Sequence, residues 1–292
     1  MFITLLRTTA ALLAASFFCI GADRQILLIA GPPSHGPLAH EQNAAALLFK
    51  KWLNGVPGIK ATAQLSGWPQ DAAAIAQADA IFVFCDGAER HLIFQGANVE
   101  AIRQAAARGA GLVFYHYGVE PPKARGHQEF LDWIGGYFEL DYSVNPTWEA
   151  DITSLPKHPI TRGVKPFKVL DEWYFNMRFR EGMRGVTPIL EAVPPAETLN
   201  RPDGIRSGNP DVRRKVGQRQ ALMWAVERAD GGRGVGFTGG HFHLNLGNES
   251  FRKVVLNALV WAAKGKVPAA GVSVNVTPAE LRENLDPKPS KQ

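Results

Sequence analysis

At 292 residues, with 46% hydrophobic and 20% charged residues, the chain can bury a full core, which excludes a disordered or fibrous protein. The formal charge of +5 is not gathered into any long Lys/Arg run, which argues against a nucleic-acid partner. The densest basic cluster, Arg213-Arg214-Lys215, sits in a loop-like segment and reads as solvated surface.

The first predicted element is an N-terminal signal. Arg7 precedes an apolar run from Ala10 to Ile20, followed by the small residues Gly21 and Ala22. This pattern predicts a secretory signal peptide over 1–22, and hence a periplasmic or secreted protein with no membrane anchor after cleavage. The run is short for a permanent span. Cys19 would leave with it, so Cys85 would remain without a partner and no internal disulfide is expected.

Next, RQILLIA reads as a buried strand, and EQNAAALLFKKWLN carries apolar residues at helical spacing. GIKATAQL is a second strand, 78–87 a third, NVEAIRQAAARG a helix and 110–118 a fourth strand. Strand and helix alternate, and the strands are continuous apolar runs. This predicts an α/β fold with a mostly parallel, doubly wound sheet covered on both faces.

The middle is less regular. HQEFLDWIGGYF predicts a short helix stopped by glycines, and TWEADI, FKVLDEWYF and VTPILEAV predict strands. Residues 194–217, rich in Pro, Gly, Asn and Arg, predict a long surface insertion that covers or extends a site. QALMWAVE and GRGVGFTGG predict a hairpin, and ESFRKVVLNALVWAAKG an amphipathic helix with Asn248 as its cap. GGRGVG at 231–236 lies before a strand, not between strand and helix, so it is no dinucleotide fingerprint. The residues divide into a signal (1–22), one domain (23–268) and a tail (269–292) that packs loosely or wraps the domain.

In an open parallel sheet, ligands gather beyond the carboxyl ends of the strands. His35 and His40 follow the first predicted strand; Asp86, Glu89 and His91 follow the third; His116 ends the fourth; His241 and His243 follow the late strand. Five of these histidines, 35, 40, 116, 241 and 243, therefore converge on one rim. His91 reads as surface, and His127 and His158 as turn residues. His241 and His243 share a face if extended and could bind a divalent metal. No HExxH and no carboxylate at helical spacing accompanies them, so no metal ligand is assigned. In DEWYF, extended backbone would point Asp171 and Trp173 one way and Glu172 and Tyr174 the other. A carboxylate beside an aromatic platform suits a sugar.

GLVFYHYG, KHPITRGV, LDEWYF and the segment from GRGVGFTGGHFHLNLGNESF to the end of the last helix together resemble the ThuA-like (trehalose utilisation) family over 25–268. The resemblance implies a flavodoxin-like three-layer sandwich, similar to class I glutamine amidotransferases. It puts His116 where an amidotransferase carries its nucleophilic cysteine, while Cys85 ends a different strand, so glutamine hydrolysis by the cysteine route is not expected. Tyr117 follows where a small residue is common, which narrows the pocket. The resemblance implies a small carbohydrate as partner: trehalose, a related disaccharide or its 3-keto form.

The expected chemistry is general acid/base catalysis by His116 with His241 or His243, assisted by Glu172. His35, His40, Asp86, Asp171, Trp173, Tyr174 and His243 are the expected binding residues, with Trp173 or Tyr174 stacking on the sugar. A lyase, isomerase or hydrolase fits this picture. A sugar-binding protein without catalysis and a metal-dependent hydrolase remain open.

Overall fold

The structure, a computed structural model, describes residues 22–288. The predicted signal falls on 1–22 and lies outside the described residues apart from Ala22. Eleven strands and seven α-helices follow one another: β1 (Arg24–Ala30), α1 (Gln42–Leu53), β2 (Ile59–Gln64), α2 (Ala72–Gln77), β3 (Ala80–Phe84), α3 (Asn98–Ala107), β4 (Gly111–Tyr115), α4 (His127–Ile134), β5 (Gly136–Tyr137), β6 (Thr147–Ile152), β7 (Phe167–Glu172), β8 (Arg178–Phe179), β9 (Val186–Ala192), α5 (Ala196–Leu199), α6 (Pro210–Arg213), β10 (Gln220–Glu227), β11 (Arg233–Phe237) and α7 (Glu249–Ala262).

The central sheet has the order β2-β1-β3-β4-β11-β10-β9. The first five strands are parallel, and β10 runs antiparallel to both its neighbours. Strand β1 shows why the sheet must be covered twice. Ile26, Leu28 and Ala30 pack on one face with α1 and α7, and Leu27 and Ile29 pack on the other with α2, α3 and α4. A continuous apolar strand thus makes a three-layer α/β sandwich. Helix α2 escaped the sequence reading because it is six residues long and buries only Ile75; Asp71 starts it by accepting from the Ala73 amide.

Helix α7 differs from its expected single apolar stripe: all residues from Phe251 to Ala262 are buried. Its polar face is covered by neighbouring chain. Asn257 donates to the Ile160 and Arg162 carbonyls and accepts from the Val272 amide, and Arg252 donates to the Leu246, Gly247 and Val274 carbonyls. The tail wraps rather than hangs. Glu280 accepts from the Trp52 indole, and Asp286 accepts from the Gln42 amide and the Asn43 side chain. None of the described helices is long and apolar enough to cross a membrane.

Candidate functional site

Four parallel strands deliver one turn each to the same edge of the sheet. After β1 the chain reverses twice, with His35 (φ 64°), Leu38 (φ 63°) and His40 (φ 49°) in the left-handed region. After β4, His116 (φ 52°) opens a 3-10 turn at a sharp strand-to-helix bend. Left-handed backbone costs a non-glycine residue about 1–3 kcal/mol and persists where the surroundings enforce it. Here they do. The His40 amide donates to the His241 carbonyl and the His243 amide to the Leu38 carbonyl, so 38–40 and 241–243 are zipped together.

The loop after β11 is held by Asp171. Its carboxylate, fully buried, accepts from the amides of Gly240 (2.7 Å), His241 (3.0 Å) and Phe242 (3.3 Å). Gly240 (φ 107°) lies so close to Tyr115 that a Cβ there would collide with the ring. The glycine pair therefore serves close packing around a carboxylate anchor. Asn248 caps α7, as expected, accepting from the Phe251 amide.

Four side chains meet in front of these turns. His40 Nε2 lies 3.0 Å from His116 Nε2 and 3.0 Å from His241 Nδ1. Glu172 Oε2 lies 3.5 Å from His116 Nε2 and 3.3 Å from His241 Nδ1. His116 Nδ1 donates to the Thr238 carbonyl at 2.8 Å, and the Tyr174 hydroxyl lies 3.1 Å from His116 Nε2. Glu172 Oε1 accepts from the Asn145 amide group. Burial alone would raise the pKa of Glu172, but the neighbouring His116 and His241 outweigh it and hold the carboxyl well below its usual range.

Two more polar side chains lie behind His40. His35 stacks on it with ring centroids 3.5 Å apart, and Asp86 faces its Nδ1 at 3.6 Å. Asp86 accepts from Ser34 and Gln42 and pairs with Arg90. Burial would raise its pKa, yet His40 and Ser34 bring it down to about 2. Burial pushes His40 well below the usual histidine value, against the pull of Asp86.

The expected residues therefore separate. His40, His116, Glu172, His241 and Tyr174 meet in one centre, with His35 and Asp86 behind it. Four expected binding roles are corrected. Trp173 is fully buried against Phe237 and Phe251, with its indole donating to the Val169 carbonyl, so it offers no platform to a sugar. Tyr174 is 3% exposed and turned toward His116, so its ring is no platform either. His243 points away from the centre into a buried pocket near Glu41, where burial lowers its pKa to about 4. Asp171 holds the His241 loop instead of facing the cleft.

His91 is not on the surface: it is fully buried. Glu89 accepts from the Lys123 amide at the surface, away from the centre. His158 caps a 3-10 turn and His127 opens α4 against Tyr137, both turn roles. Cys85 is fully buried, and burial pushes its thiol up to about 12.

Sequence reasoning did not find the residues around these groups. Asn145, Ser34, Gln42 and Arg90 have no motif of their own and join only through folding. The 194–217 insertion also reaches the site. Arg206 pairs with the buried Glu120 and donates to the Tyr117 hydroxyl at 3.0 Å. Glu197, Thr198 and Arg201 form one wall of an open cleft of about 400 Å³, with Asn145, Pro146, Thr147 and Glu172 opposite. Glu172 belongs to both cleft and centre.

The sequence model of the ThuA family, described as trehalose utilisation, matches residues 34–262. No curated protein matches the sequence. Two solved structures share the fold. A putative ThuA-like protein from Bacteroides uniformis is 14% identical with a TM-score of 0.59, covering 85% of this chain and 95% of its own. One from Parabacteroides merdae is 15% identical with a TM-score of 0.57, covering 88% and 94%.

Proposed function

The chain belongs to the ThuA family, and we propose that it transforms a disaccharide or its keto form at the centre built by His40, His116, His241 and Glu172. The observation that carries this reading is the meeting of three imidazole nitrogens with one carboxylate oxygen, beside a polar cleft that shares Glu172. The family description supports a sugar, and the cleft wall of Asn145, Thr147, Glu197, Thr198 and Arg201 offers the donors and acceptors that hydroxyl groups require. Export through the 1–22 segment is part of the same proposal.

The reaction class is proton transfer. A proton leaves a sugar hydroxyl or a carbon next to a carbonyl for the centre, and the electron pair stays behind as alkoxide or enolate. His241 is the partly exposed imidazole of the centre, at 18% side-chain exposure, and takes the proton in the metal-free form. Glu172 stabilises the imidazolium that results, and Tyr174 and Thr238 fix the His116 ring beside it.

The test is a panel of disaccharides and their 3-keto forms, followed by product analysis, with the wild type, H241A and E172Q. Turnover is expected to fall by about 100-fold or more in both variants, the range for losing an acid/base group. Unchanged turnover in both, or no transformation of any sugar by the wild type, sinks the proposal. Binding without product would instead make the chain a sugar-binding protein.

A further inference from the structure

We infer that His40 Nε2, His116 Nε2, His241 Nδ1 and Glu172 Oε2 form a binding site for one divalent transition-metal ion. The inference rests on the same centre as the sugar reading, but not on the identity of the sugar.

Proton accounting leads to it. A carbonyl only accepts, so the hydrogen of His116 sits on Nδ1, facing Thr238, and Nε2 turns its lone pair to the centre. Neither neutral form of His40 then fits all of its neighbours. With its hydrogen on Nδ1, His40 Nε2 can accept from His241 Nδ1, but no hydrogen lies between it and the lone pair of His116 Nε2 at 3.0 Å. With its hydrogen on Nε2, a buried lone pair on Nδ1 faces the Asp86 carboxylate at 3.6 Å, and Nδ1 has no hydrogen-bond partner. A cation at the centre removes the conflict, because His40 then points Nδ1–H at Asp86 and gives its Nε2 lone pair to the ion.

The distances agree. The four atoms form a closed ring with edges of 3.0, 3.5, 3.3 and 3.0 Å. Bonds of about 2.0–2.2 Å to nitrogen and oxygen give donor separations of roughly 3.0–3.5 Å in octahedral or tetrahedral arrangements. Each donor also has an orienting partner of the kind that supports metal ligands. Thr238 holds His116, Asp86 faces His40, Asn145 holds Glu172, and Asp171 holds the His241 backbone. Three imidazoles and one carboxylate favour zinc, iron, cobalt or nickel over calcium or magnesium, which prefer oxygen. The side chains of His40 and His116 are at most 1% exposed, and those of His241 and Glu172 18%. The centre therefore opens on the His241–Glu172 side, where a water or a sugar oxygen completes the coordination. An ion held there would supply Lewis-acid chemistry at the opening where His241 and Glu172 are partly exposed.

Elemental analysis of the purified chain, then titration of the stripped protein with Zn2+ and Co2+, tests the site. One ion per chain is expected, and the Co2+ form should show the visible bands of nitrogen and oxygen ligation. E172Q and H241A should each lose about 100-fold or more in Co2+ affinity, and D86N about 10–100-fold, while H127A should bind like the wild type. Circular dichroism checks that each variant is folded. If the wild type binds neither ion at micromolar concentration, or folded E172Q and H241A bind as tightly as it does, the site does not exist. Sugar turnover by a wild type that binds neither ion overturns the metal site and leaves the carbohydrate reading standing. Tight binding without sugar turnover does the reverse.

Discussion

His91 lies fully inside the core, where Nε2 donates to the Gly118 carbonyl and Nδ1 accepts from the Ile93 amide. Both nitrogens are satisfied only in the neutral ring. Burial lowers its pKa from 6.5 to about 4. Between these values the unfolded chain binds the proton and the folded chain does not, so stability is full above about pH 6.5 and falls as pH drops toward 4. The loss at the low end is on the order of 3 kcal/mol. His243, also lowered to about 4, contributes in the same window. Denaturant unfolding at pH 7 and 4.5 should show a smaller difference in H91Q than in the wild type, since glutamine keeps a donor for Gly118 without the titration. Equal differences would show that His91 does not contribute. The sequence read His91 as surface because a histidine after a strand is compatible with either position. Its burial comes from Phe94, Phe114 and Phe130, which reach it from three separate elements.

Among the elements, α7 was legible and its environment was not. Its apolar spacing and its Asn248 start are local features, written in consecutive residues. The burial of its polar face depends on the 160–162 turn and the tail, which no periodicity connects to it. The cap gives a direct test. N248A should lower unfolding stability by about 1 kcal/mol, read by denaturant titration, because an orphan amide loses its acceptor. Metal affinity should stay at the wild-type value, since Asn248 touches none of the four donors. Strand β7 shows the opposite balance. The alternation of DEWYF separated Asp171 from Glu172 and Tyr174 correctly, but it could not say which face met the site. The His241 loop decided that, by laying three amides on Asp171.

Across the whole molecule, the tail and the first loop act together. Lys288 pairs with Glu41 at 3.1 Å, both side chains nearly fully buried, and donates to the Ala39 and Gly36 carbonyls. Glu41 also accepts from the amides of Leu38 and Asp286. The C-terminal strap thereby fixes the segment that carries His40. K288M should destabilise the fold by about 3–5 kcal/mol, the cost of leaving a buried charge unpaired. A loss below about 1 kcal/mol in thermal or denaturant unfolding would show that the strap does not hold the loop. By itself the sequence determined the α/β class, the alternating elements, the parallel sheet and the crowding of histidines at strand ends, because hydrophobic period and turn chemistry act over a few residues. Only the tertiary structure decided which histidines face one another, that Trp173 belongs to the core, and that Glu172 closes the ring. Those outcomes depend on contacts between residues 56 to 201 positions apart, whose pairing is set by strand order and loop register rather than by local pattern.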